Sequence, residues 1–224
     1  MKRYQLTFKR WLARRRSFDD PFDQLIRHPR QPAGTPFDRA ELVCLDIETT
    51  SLNPKTADML SVGWVLIRGG MVDLSTAKTY IVRSQSEVGE SASVHGLTDT
   101  IVGKGQVQIM VLNSVIEVLT GRSLVVHHAG LDKGLLDRLC VEHYGEKLLV
   151  PVVDTLAIEH RRQSRKHHVD ENQSLRLADL RTAYNLPWYS AHDCQIDAIA
   201  TAELLIAMVA THGDRSKTPI ADLY

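Results

Sequence analysis

Cysteine is scarce: Cys44, Cys140 and Cys194 are the three in 224 residues, far apart, with no C-x-x-C pair and no secretory apolar segment at the N-terminus. That usage argues against a disulfide framework and a cysteine-ligated zinc site, and for free thiols in a reducing compartment, the cytoplasm. Aromatics are only 6% of the chain, and Trp11, Trp64 and Trp188 are too scattered to argue a stacking platform. No apolar run reaches the ~20 residues that span a bilayer. The longest, Ile199 to Ala210, is interrupted by Thr201 and Glu203, so no membrane span is expected. Net charge of one sign is also missing, because 27 Lys+Arg balance 27 Asp+Glu. With 43% hydrophobic residues, the chain is neither disordered nor collagen-like, and its length suits one domain core with an appended arm.

The charge balance hides an asymmetry. Residues 1–40 hold 10 Lys+Arg against 4 Asp+Glu, and the remainder 17 against 23. Lys2, Arg3, Lys9, Arg10, Arg14, Arg15 and Arg16 interleave with Tyr4, Leu6, Phe8, Trp11 and Leu12, the pattern of a basic amphipathic helix. Such a segment suits phosphates, a membrane surface or a protein partner such as a polymerase; the plainer reading is a helix packed on the domain with its basic side solvated. Because the first 18 residues lack acids, organellar targeting also stands beside the cytoplasmic reading. The run RHPRQPAGTPF from Arg27 to Phe37 has three prolines and a glycine and reads as an extended linker. The expected division is a basic arm and linker over residues 1–36, a main domain over 37–212 and a tail over 213–224.

Beyond the linker the periodicity is α/β. A β-prone run from Leu42 to Glu48 is followed by strands from Leu60 to Arg68 and Val72 to Val82, and Gly69-Gly70 between them signals a hairpin. Val111, Leu112, Val115, Ile116 and Leu119 recur at helical spacing. A strand from Ser123 to His128, a helix from Leu131 to Tyr144 and a fifth strand over Pro151 to Thr155 come next. Helical patterns then run from Leu156 to Arg161, Leu175 to Tyr184 and Asp193 to Ala210. This order suggests a central mixed sheet covered on both faces.

Asp46 and Glu48 lie two apart on the first strand, so both carboxylates project from one face while Leu45 and Ile47 point to the other. Like charges so close repel, and a divalent cation resolves the conflict, since hard Mg²⁺ or Mn²⁺ accepts several carboxylates. Alone, such a pair is weak evidence for a metal, because exposed strand edges carry such pairs for solubility. Asp132 falls near the start of a helix after Val125-Val126-His127-His128, where an acid also satisfies the helix dipole. Asp193 reads as an N-cap. Asp197, one turn inside the last helix and beside its apolar stripe, has no such ordinary explanation.

Leu45-Asp46-Ile47-Glu48-Thr49-Thr50, then His127-His128-Ala129-x-x-Asp132, then His192-x4-Asp197, resemble in that order the DEDDh exonucleases. These form the DnaQ-like family, which includes the proofreading epsilon subunit of bacterial DNA polymerase III. Asp154-Thr155 and Val94-His95-Gly96-Leu97 fall at matching places, and the resemblance covers residues 40–210. It implies an RNase H-like exonuclease fold, a five-stranded mixed sheet of order 3-2-1-4-5 flanked by helices. It also implies two divalent cations, Mg²⁺ or Mn²⁺, held by Asp46, Glu48, Asp132 and Asp197, with His192 as general base; imidazole suits proton transfer near neutral pH. By the same resemblance Ile47, Thr49, Thr50, Leu52, His95, Gly96 and His128 lie beside the substrate. The implied reaction is 3′-to-5′ release of 5′-mononucleotides from nucleic acid with a free 3′ end, DNA first and RNA or short oligoribonucleotides second. A reading of another class is a polymerase-associated module docked through the basic arm. Ser51, His128 and Leu131 stand where the family often has Gly, Asn and Phe, which bears on substrate fit rather than on the acids. His127 reads as a structural strand-end histidine, and the basic run from Arg161 to His168 as a solvated loop.

Overall fold

In the strand Leu42–Thr49 (β1), Leu42, Val43, Cys44 and Leu45 are all buried although successive side chains point to opposite faces. A strand apolar on both sides belongs in the middle of a sheet covered on both faces. In the computed structural model, which describes residues 3–84, 97–165, 174–190 and 192–224, β1 is that central strand. It runs antiparallel to β2 (Met59–Arg68) and parallel to β4 (Ser123–Val126). Outside them, β3 (Met71–Ile81) pairs antiparallel with β2, and β5 (Val152–Asp154) parallel with β4. The order β3-β2-β1-β4-β5 is the one expected. Gly69 and Gly70 turn the β2–β3 hairpin with φ of +61° and +68°, a conformation side chains resist at both positions.

The helices are α1 (Arg3–Ala13), α2 (Phe22–Arg27), α3 (Asp99–Val102), α4 (Gln108–Leu119), α5 (Asp132–Tyr144), α6 (Thr155–Gln163), α7 (Leu177–Ala183) and α8 (Cys194–His212). Odd-numbered β1 residues Val43, Leu45 and Ile47 pack with Val115 and Leu119 of α4 and Leu135 and Leu139 of α5. Leu42 and Cys44 pack on the other side with Ala202, Leu205 and Val209 of α8. Each fully buried aliphatic side chain contributes about 1.5–3 kcal/mol, so this double layer holds β1 firmly. By length and composition α8 is apolar enough to cross a membrane, yet half of that stretch is buried against the sheet, as in a core helix.

β4 ends at Val126, two residues short of the expected His128, because His128 adopts φ +82° and leaves the ladder. The N-terminal segment is helical and packs on the domain. Leu6, Arg10 and Ala13 of α1 are buried, and α2 adds Phe22, Leu25 and Ile26 to the same core. Arg10 donates to the carbonyl oxygens of Leu149 (2.8 Å), Leu25 (2.7 Å), Ile26 and His28 (both 2.9 Å). Its burial, reinforced by Arg30 and Arg14 nearby, lowers its pKa to about 10. Gln31 in the proline-rich stretch bonds both backbone groups of Glu41, and Ile220 and Leu223 near the chain end are buried on the α8 side. Replacing Arg10 by Met strips four carbonyls of their donor and is expected to cost about 2–4 kcal/mol of stability, measured by urea denaturation.

Candidate active site

The even-numbered series on β1 continues past Cys44 to Asp46 and Glu48, so both acids lie on the α8 side, beyond the apolar packing. In the β2 ladder Asp46 sits opposite Gly63 and Glu48 opposite Ser61. Gly63 is decisive for what lies above. A Cβ there would fall 2.5–2.6 Å from the Cys194 carbonyl and the Gln195 nitrogen, so only glycine lets the start of α8 rest on the sheet. Ser61 Oγ also meets Cys194 Sγ at 3.3 Å. Asp193 caps α8, accepting from the Gln195 and Ile196 amides, and Asp197 follows one turn later.

Ligand oxygens of Asp46, Glu48 and Asp197 consequently lie within 4.8 Å of one another. Burial pushes Asp46 well above the usual carboxylate range, helped by the charges of Asp132, Glu48 and Asp197. Burial and then Asp197 raise Glu48 to about 7. Asp197 is raised by burial too, although the His192 amide, 2.8 Å from its Oδ2, opposes the shift. Asp132 is 3% exposed at the start of α5, raised by burial to about 8 while the Ile47 amide donates to it. It lies outside the three-oxygen cluster but within electrostatic reach of Asp46. All-oxygen donors with one shared charge conflict match the chemistry of a hard divalent cation.

Asp46, Asp197 and His192 line a cavity of about 880 Å³ together with Leu52, His128 and Trp188. His128 and His192 both have positive φ, +82° and +71°, and in each a carboxylate holds the backbone: Asp154 accepts from the His128 and Ala129 amides, Asp197 from that of His192. Of the remaining expected substrate residues, Ile47 turns its side chain into the α4–α5 core. Thr49 Oγ1 donates to the Ser51 carbonyl, Thr50 Oγ1 accepts from the Asp58 amide, and Leu52 is 86% exposed. His95 and Gly96 lie outside the described residues. His127 lines the same cavity, with its ring nitrogens bonded to Thr155 Oγ1 at 2.8 Å and the Leu175 carbonyl at 2.9 Å.

Two residues of the site were not singled out from sequence. Gly63 had a signal, a lone glycine in an apolar strand. Arg181 had none, because one arginine in a helical pattern looks like any solvated cation. It is 3% exposed, lines the cavity, donates to the Ala200 and Pro187 carbonyls at 2.8 Å, pairs with Glu203 at 2.8 Å and covers the Tyr189 ring. It thereby ties α7 and α8 to the segment leading to His192.

An exonuclease family model, RNase T, matches residues 43–205. The chain belongs to this exonuclease family. A DNA polymerase III subunit epsilon-like protein of Rhodobacter capsulatus is 26% identical over 181 residues, 79% of this chain and 25% of that protein. The chain spans 9% to 32% of the length of the curated relatives it matches. Its fold is similar to E. coli Exonuclease I in complex with a dT13 oligonucleotide, with TM-score 0.63 and 15% identity over 77% of this chain and 41% of that one. It is also similar to Exonuclease X in complex with 5′-overhanging duplex DNA, with TM-score 0.60 and 19% identity over 81% and 98% of the two chains. The DnaQ-like resemblance and the RNase H-like fold read from the motifs both hold, and exonucleases of this family are hydrolases that use divalent metals.

Two outcomes follow from this geometry. Gly63→Ala drives a Cβ into the α8 backbone and is expected to cost about 1–3 kcal/mol, read by denaturation, and to lower activity by displacing Asp197 from Asp46. For the metal-free exonuclease, carboxyls with raised folded pKa values bind protons more tightly folded than unfolded, so stability falls as pH rises from about 4 through the folded values near 7 and 8. Thermal unfolding in EDTA between pH 5 and 9 should show that decline, and Mg²⁺ or Mn²⁺ should reduce it.

Proposed function

We propose that the protein is a 3′-to-5′ exonuclease that hydrolyses phosphodiester bonds at the 3′ end of DNA, single-stranded by preference, and releases 5′-mononucleotides. The observation that carries this reading is the Asp46, Glu48 and Asp197 oxygen cluster, two of whose members, Asp46 and Asp197, line a cavity together with the exposed His192. Support for DNA comes from the oligonucleotide and duplex named with the structurally similar Exonucleases I and X. The three buried free cysteines accord with a cytoplasmic setting.

Asp46, Glu48 and Asp197, with Asp132 behind them, would hold two divalent cations, Mg²⁺ or Mn²⁺. When bound, such a pair supplies Lewis-acid stabilisation of the attacking and departing oxygens. His192 accepts a proton from the attacking water as its oxygen bonds to phosphorus, and the bond to the 3′ oxygen of the preceding nucleotide breaks, that oxygen taking a proton from solvent. The products are a 5′-mononucleotide and a strand one unit shorter with a 3′-hydroxyl. Asp197 has a second task, since its Oδ2 accepts the His192 amide and fixes the backbone from which the imidazole projects. Leu52, His128 and Trp188 border the space for the terminal nucleotide, and Thr49 and Thr50 shape the turn that ends β1.

On 5′-labelled single-stranded DNA with Mg²⁺ or Mn²⁺, stepwise shortening from the 3′ end is expected, and none with EDTA. Asp46→Ala should remove turnover while preserving the fold, and His192→Ala should lower kcat by about 10²–10⁴-fold. Full activity of purified Asp46→Ala would overturn the assignment, and faster cleavage of matched RNA would move the substrate class to RNA.

A further inference from the structure

Among the described residues, none covers the outer side of α1. Tyr4 is 86% exposed, Phe8 59% and Trp11 49%, although Leu6, Arg10 and Ala13 on the opposite side are buried. Phe8 and Trp11 lie with rings 6.0 Å apart and 23° from parallel, and the Arg15 guanidinium sits 3.8 Å over Trp11. Helical spacing at residues 4, 8 and 11 puts the three rings on one stripe, and Arg15 follows in the turn after α1. A separate cavity of about 1000 Å³ runs from α1 along the outer edge of β5. Its lining includes Lys9, Arg14, Arg30, Lys133, Lys147 and Arg161 against two acids, Asp137 and Asp154; Arg14, Arg30 and Arg161 also donate to carbonyl or hydroxyl oxygens of the protein. Both acids are engaged, Asp154 by the His128, Ala129 and Leu156 amides and Asp137 by Lys133 and the Leu148 amide. Among the described residues the Lys9 and Lys147 side chains form no ion pair.

This groove and the candidate active site share a wall. His128 and Leu156 face the catalytic cavity, while their neighbours Ala129 and Ala157 face the groove. We propose that the groove and the aromatic stripe of α1 together hold the internal part of a single-stranded polynucleotide whose 3′ end lies in the catalytic cavity. Cations along a groove neutralise a sugar-phosphate backbone, and exposed aromatic rings beside arginine stack on successive bases whatever their identity. The absence of any acid in the first 18 residues fits a polyanion as occupant. This inference rests on the exonuclease reading and extends it to strand length: longer single strands are held better than short ones.

Binding of fluorescein-labelled dT20 and dT4 in EDTA, followed by anisotropy, tests the path without hydrolysis. Wild-type protein should bind dT20 at least tenfold more tightly than dT4. Phe8→Ala/Trp11→Ala and Lys9→Glu/Lys147→Glu, all at exposed positions, should each remove most of that advantage. The second pair, which removes two phosphate contacts, should also make the salt dependence of dT20 binding shallower by about 1.4 units in log–log slope. Metal-dependent hydrolysis of the p-nitrophenyl ester of thymidine 5′-monophosphate, too small to reach the groove, should stay unchanged in both. Equal affinity for dT20 and dT4, or variants that bind dT20 as the wild type does, would overturn the path. The exonuclease reading would survive that result; it fails separately if wild-type protein hydrolyses neither the ester nor dT20 with any metal.

Discussion

Mutual repulsion among carboxylates that the fold forces together is the constraint on which the rest of this structure turns. Asp46 and Glu48 cannot separate, because they occupy alternate positions of one strand, and α8 lowers Asp197 onto the same face. Burial and like charge both oppose ionisation there, and the pKa values of Asp46, Glu48, Asp132 and Asp197 are all raised. Apolar packing elsewhere offsets this cost. Placing β1 in the middle of the sheet gives it buried aliphatic neighbours on both faces, and those contacts hold its acidic end where the acids alone would not stay.

Around this rigid strand the site is built from irregular backbone. His128 and His192 hold a left-handed conformation that costs a non-glycine residue of order 1–3 kcal/mol, and both face the same cavity. Each is stabilised by an aspartate that accepts its amide. Asp154 does so while also capping α6, and Asp197 while contributing to the acidic cluster. One carboxylate thus serves local backbone geometry and the site at once. Arg181 supports the same region from below, joining α7, α8 and the Pro187–Tyr189 segment through carbonyls, Glu203 and a ring face.

The N-terminal segment shows how one helix can serve two purposes. Its inner side, through Leu6, Ala13 and the four carbonyl contacts of Arg10, is part of the domain core. Its outer side keeps aromatic rings in solvent, where each exposed ring forgoes the stabilisation that burial gives. The cations of this segment divide likewise. Arg10 and Arg14 are occupied with backbone carbonyls, whereas Lys9 points to a groove. A count of basic residues therefore overstates the charge available to a ligand.

Much was legible in the sequence because short-range rules carried it. Period-two alternation put Asp46 and Glu48 on one face, the glycine pair marked the hairpin, and Asp193 and Asp197 were placed by helix-start geometry. Sheet order required the family resemblance, since alternation says which face a residue takes and nothing about which strand is its neighbour. Only tertiary structure decided the close seating of α8 on Gly63, the burial of Arg181 and Arg10, and the strained turns at His128 and His192. Each depends on contacts between segments tens of residues apart. Local propensity sees a glycine, an arginine or a histidine in such places, and only the packed neighbours determine what it does.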